Sequence, residues 1–143
     1  MATTVRQQII DAIVDRFATI TSLGGRVSAW RIEGVRPDEC PCLVVFDTVQ
    51  EGSMEYSSNI EQTHALNISV VLFTLPTEQA IVTRSLMGDV LASIKSDPLF
   101  GLSGPIVSTE FQALSLTRDK FVDVASGGHL SLVINYTTPL WEV

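Results

Sequence analysis

The sequence predicts an α+β domain: a mainly antiparallel sheet of about five strands with two helices packed on one face, in the order α-β-β-β-α-β-β. Three observations lead there. Apolar residues recur at helical spacing in two segments, 4–20 and 76–95. In five others they alternate at strand spacing or run together. The chain has 143 residues, 45% of them apolar, which suits one domain with one core, spanning 1–143.

In the first segment Val5, Ile9, Ile13 and Phe17 recur every four residues, and Ile10, Val14 and Ile20 widen the stripe. Thr4 followed by Gln7 fits a capping box, and Gly24-Gly25 after Leu23 fits a helix stop. Residues 27–32 read as a short strand with Trp30 and Ile32 on one side. The stretch 36–41 is rich in turn formers, and Pro41, which has no N–H to donate, puts the next strand behind it. That strand, 42–49, holds the run Leu43-Val44-Val45-Phe46, which predicts cover on both faces and a central place in the sheet.

Residues 50–63 are polar and read as a long hairpin connection, with Met54 and Tyr56 on an exposed ribbon. In the strand 62–75, Leu66, Ile68, Val70 and Leu72 share a face, while Val71 and Phe73 fill the other. Pro76-Thr77-Glu78 opens the second helix. Its inner stripe reads as Val82, Leu86, Val90 and Ile94 with Met87 and Leu91 beside it, and Asp97-Pro98 stops it. Two strands follow, 106–117 and 128–138, the second with Leu130, Leu132, Ile134 and Tyr136 on one face.

Nine Lys and Arg against sixteen Asp and Glu leave a formal charge of −7. The nine cations are scattered, which argues against a phosphate-tracking groove and against anionic membrane surfaces. Cys40 and Cys42 flank a single proline, so a bridge between them would be strained, and they read as free thiols of a reducing compartment. The N-terminus has no signal-peptide pattern, and no apolar stretch approaches a membrane span.

Neither His64 nor His129 lies near a nucleophile signature. His64 reads as a sheet-face residue and His129 as a residue at a strand entrance. Cys40, Cys42 and the two histidines are poorly spaced for a zinc site, and no glycine pattern makes a phosphate loop. No catalytic residue, metal or cofactor is expected. Apolar residues in polar company are the more informative signal: Met54 and Tyr56 in the ribbon, Phe121, Val122 and Val124 in the connection 118–127, and Trp141 at the chain end. Apolar anchors rimmed by polar residues are what protein interfaces are made of.

With these features in view, the chain resembles the tail terminator proteins of tailed bacteriophages, the lambda-like group. The resemblance spans nearly the whole chain. It rests on the helix beginning Val5-Arg6-Gln7-Gln8-Ile9-Ile10, the proline-led strand at 41–46, and the long polar hairpin before the strand 64–73. It rests most on the stop Asp97-Pro98-Leu99-Phe100-Gly101-Leu102 and on the glycine-led last strand closing Leu132-Val133-Ile134-Asn135-Tyr136-Thr137-Thr138.

The resemblance implies a structural virion protein without chemistry. Copies of the chain would form a ring, typically a hexamer, on the head-proximal end of the tail tube. The ring would end tube polymerisation and offer an attachment surface to the head–tail neck protein. Assembly would take place in the host bacterial cytoplasm. Six chains at −7 each carry −42, so a carboxylate-lined lumen would let genomic DNA pass without specific binding. Glu51, Glu55 and Glu61 are the acidic residues expected to face the lumen or tube, and the apolar anchors above are the expected subunit or tube contacts. The alternatives are a head–tail joining (neck) protein and, from another class, a small cytosolic ligand-binding domain or enzyme.

Overall fold

A computed structural model describes residues 4–29, 35–48, 54–57, 61–75, 80–102, 104, 106–115, 119–120 and 125–139; at 48, 54–57, 61–62, 119–120, 125–127 and 139 it describes the backbone alone. Along the chain lie α1 (Val5–Ala18), β1 (Val27–Ala29), β2 (Cys42–Thr48), β3 (Met54–Ser57), β4 (Glu61–Thr74), α2 (Ala80–Ser96), β5 (Ile106–Ser115), β6 (Asp119–Lys120) and β7 (Ala125–Pro139). The strands make one sheet along the path β1-β2-β4-β7-β5, with β3 added to β4 and β6 to β7. All neighbours are antiparallel except β1 and β2. The α+β class and the mostly antiparallel sheet are those the sequence predicts, and the element order roughly matches. Two short strands are added: β3 within the stretch read as a hairpin connection, 50–63, and β6 within the connection 118–127.

Two long central strands organise the sheet. β4 pairs with β7 from Glu61↔Pro139 to Thr74↔Ala125. β2 lies against the later half of β4 and β3 against its start, so β2 and β3 follow one another along the same edge. β7 is flanked in the same way by β5 and β6. Residues directly opposite in an antiparallel pair share a face. Leu43 and Val45 of β2, Leu66, Ile68, Val70 and Leu72 of β4, and Leu130, Leu132, Ile134 and Tyr136 of β7 therefore form one apolar surface. All are at most 2% exposed, and they join α1 and α2 in a single core. Both helices thus lie on one face. Val44 points to the other face yet is also buried, which is the two-sided cover that the unbroken apolar run predicts.

Helix α1 starts where Thr4 Oγ1 accepts from the Gln7 backbone N–H (3.1 Å). The capping box is only half made, because Gln7 Nε2 donates forward to Asp11 Oδ1 (2.9 Å). The helix ends at Ala18, earlier than the glycines suggest. A separate 3-10 turn (Thr21–Leu23) intervenes, and Gly24, at φ +58°, closes that turn. Ile9, Ile10, Ile13 and Phe17 are its buried residues.

Helix α2 buries Thr83, Leu86, Met87 and Val90, while Val82, expected in the stripe, is 38% exposed. A strict four-residue step drifts by about 40° each time around a helix of 3.6 residues per turn, so a stripe centred on Leu86 and Val90 has left Val82 behind. Thr83 takes the inward position.

The segment after α2 is fixed from three sides. Asp97 Oδ2 accepts from Arg16 Nη2 (2.9 Å), Asp97 Oδ1 accepts from the Leu99 N–H (3.3 Å), and Pro98 O accepts from Thr109 Oγ1 (2.5 Å). Phe100 has φ +50°, a conformation that costs a side-chain-bearing residue roughly 1–2 kcal/mol. Burial offsets the cost: Phe100 is 5% exposed and its ring meets Phe17 edge-on, centroids 6.4 Å apart.

Candidate interaction surfaces

The sequence-predicted contact residues fall in the stretches 51–61 and 121–124 and at position 141. Met54, Glu55 and Tyr56 lie in β3, with the Met54↔His64 and Tyr56↔Thr63 registers, and Glu61 opens β4 opposite Pro139. The backbone therefore brings Glu55 and Glu61 into adjacent strands; their side chains, and those of Met54 and Tyr56, are outside the description. Glu51, Phe121, Val122, Val124 and Trp141 lie outside the described residues.

Sequence periodicity missed the uncovered apolar side chains of β5. Val107 and Phe111 are each 59% exposed on this edge strand. Two bulges hide them from a period-two reading: Val107 is the extra residue between Ile106↔Tyr136 and Ser108↔Asn135, and Gln112 is the extra residue between Phe111↔Leu132 and Ala113↔Ser131. Phe111 is on the helix side of the sheet by register, opposite the buried Leu132, but it sits at the margin where the core stops. Ile81 (68%) and Val82 at the start of α2, with Leu75 at the end of β4, are further exposed apolar side chains.

Among the described residues, the two histidines are not brought together. His64 is on the helix side, opposite Tyr136, whereas His129 is opposite Val71 on the other face and exposed. His129 lies inside β7, not at its entrance, because the strand starts at Ala125. The sheet thus separates the two imidazoles. Cys40 and Cys42 are free thiols. Burial, then the charge of Glu39, pushes the Cys40 thiol above its ordinary value, the reverse of an activated nucleophile. Among the described residues, no three His, Cys, Asp or Glu side chains gather as a metal site.

A concavity of about 400 Å³ lies at the start of α1, lined by Thr4, Arg6, Gln7, Ile10, Ala29 and Asp47. Its lining holds one cation and one carboxylate but no histidine or cysteine. Arg6 also reaches inward, donating from Nη2 to the Tyr136 hydroxyl (3.5 Å), while its Nε–H is buried without a partner.

His64 is held by this arrangement. Its ring stacks on Tyr136 (4.9 Å, 18°) and Nε2 lies 2.9 Å from Thr138 Oγ1. Burial, then the positive charge of Arg6, holds its pKa below the ordinary 6.5. With the folded value below the unfolded one, neutral His64 contributes stability that is fully present above about pH 6.5 and is lost as pH falls through the lowered value. The thermal midpoint is therefore expected to drop between about pH 7 and about pH 5, and to drop less in His64→Gln. Parallel slopes for the two proteins would show that another group titrates.

Among the described residues, no helix is long and apolar enough to cross a membrane. No protein-family model matches the chain, and neither does any curated protein.

Proposed function

We propose that the chain is a ring-forming virion protein that caps the head-proximal end of a phage tail tube, halting tube growth and presenting a face to the neck. Its partners on this reading are copies of itself, the tail tube protein and the neck protein, with genomic DNA passing through the ring without specific binding. Its work is mating of surfaces, with no turnover and no cofactor. The observation that carries the reading is the course of the chain. A capped N-terminal helix, a proline-led strand and a long polar hairpin come first. The Asp97-Pro98-Leu99-Phe100-Gly101-Leu102 stop under α2 and a long closing strand follow, in the order of the tail terminators that the sequence resembles. The uncovered apolar residues of β5 add support, because a monomer gains nothing from leaving Phe111 and Val107 in water.

The test is direct. Purified protein mixed with polymerised tube subunits should appear in electron micrographs as a ring on one end of each tube and should stop elongation. Indifference to tube ends together with binding to the neck would favour a joining protein. A stable monomer or dimer carrying a small ligand would favour the ligand-binding reading and overturn this one.

A further inference from the structure

The two ends of the sheet are complementary to each other, and this deepens the ring reading on which it rests. Among the described residues β1 pairs only with β2 and β5 only with β7, so each has a side without a strand neighbour, although on β1 the Val27 N–H donates back to Gly25 O (2.9 Å). Open edges invite another strand, and soluble proteins usually block them with lysine, proline or bulges. β5 contains neither lysine nor proline, and its two bulges, at Val107 and Gln112, bracket a regular stretch from Ser108 to Phe111. β1 is a regular stretch of similar length, Val27–Ala29.

Strand direction also matches. Along the path β1-β2-β4-β7-β5 the first pair is parallel and the next three are antiparallel, so β1 and β5 run in opposite directions. In a ring each neighbour is turned by only a fraction of a revolution, so strand directions carry over from copy to copy. An edge β5 meeting the next copy's β1 is then antiparallel, the geometry that closes a ladder most readily.

Charge agrees with direction. A chain at −7 repels its copies except where carboxylates are sparse or matched. β1 is uncharged, and β5 has one charge, Glu110, which is exposed and makes no ion pair among the described residues. In the antiparallel arrangement the start of β1 lies beside the Glu110–Phe111 end of β5. The residue just before β1 is the exposed Arg26, which is held in place by its Nε donating to Pro41 O (2.9 Å).

We propose that the Ser108–Phe111 edge of each copy pairs antiparallel with Val27–Ala29 of the next, with Arg26 of that copy placed against Glu110, so that the sheet continues from subunit to subunit. The added strand would also bring side chains beside the exposed Phe111.

A complementation experiment tests it. Glu110→Arg alone and Arg26→Glu alone should each assemble roughly tenfold or more weakly than the wild type by analytical ultracentrifugation. An equal mixture of the two should recover assembly, because alternating copies restore an opposite pair at every contact. Hydrogen exchange on the wild type should show the 106–115 peptide becoming protected on passing from dilute to assembled protein, a readout that stands even if a variant folds poorly. Assembly that proceeds without protection of 106–115, or a folded Glu110→Arg that assembles like the wild type, would overturn the pairing while leaving the ring. A wild type that stays monomeric with and without tubes would overturn both.

Discussion

Tyr136→Ala is expected to cost about 3–5 kcal/mol of folding stability, the range for deleting a large buried aromatic side chain. Tyr136 is fully buried and faces the helices from the middle of the sheet, between β4 and β5, with His64 opposite on one side and Ile106 on the other. Three losses combine: the ring's own burial, the stacked contact with His64, and the hydroxyl that accepts from Arg6. The last leaves a guanidinium whose Nε–H is already unpaired with one acceptor fewer. Against a typical domain stability of about 5–15 kcal/mol, such a loss is a large fraction of the total. Tyr136→Phe removes only the hydroxyl and should cost about 0.5–1.5 kcal/mol. Urea unfolding of the three proteins separates the contributions. A Tyr136→Ala cost no larger than that of Tyr136→Phe would mean that the core closes over the gap.

The second large effect expected is on DNA. Reversing Glu51, Glu55 and Glu61 to Lys changes two charges at each position and takes the chain from −7 to −1. The backbone puts two of these positions, Glu55 and Glu61, in the paired strands β3 and β4, so the change falls largely on one ribbon. Repeated around a ring, it would turn a repelling channel into one that exchanges counterions with phosphates. The wild type should run through a DNA column at low salt, whereas the variant should be retained and should elute as salt rises. Equal elution of the two would remove the acidic-lumen assignment. Equal retention of each by a neutral resin is the control for misfolding.

Much of the fold can be read from the chain because the signals are local. The stripe of α1 and the alternating Leu130, Leu132, Ile134 and Tyr136 of β7 need only the helix and strand periods to be recognised. The run Leu43-Val44-Val45-Phe46 announces a strand covered on both faces, because no exposed strand would be apolar on both; its place in the sheet is one in from the edge, beside the short β1, and not at the centre. The reading of single residues fails where two periods compete or where register decides. Val82 was misplaced because a four-residue repeat slides off a 3.6-residue helix. The exposed apolar residues of β5 escape a period-two reading because bulges at Val107 and Gln112 interrupt the alternation, and a bulge depends on the partner strand.

The sequence by itself determined the class, the order of the two helices and the five elements read as strands, the core faces and the lack of any phosphate-loop or nucleophile motif, since each depends on spacing along the chain. Only the tertiary structure decided which strands became edges, that the two edges run in opposite directions, and that His64 and His129 lie on opposite faces of the sheet. These follow from the pairing of residues distant in sequence, where a one-residue change in register moves a side chain to the opposite face.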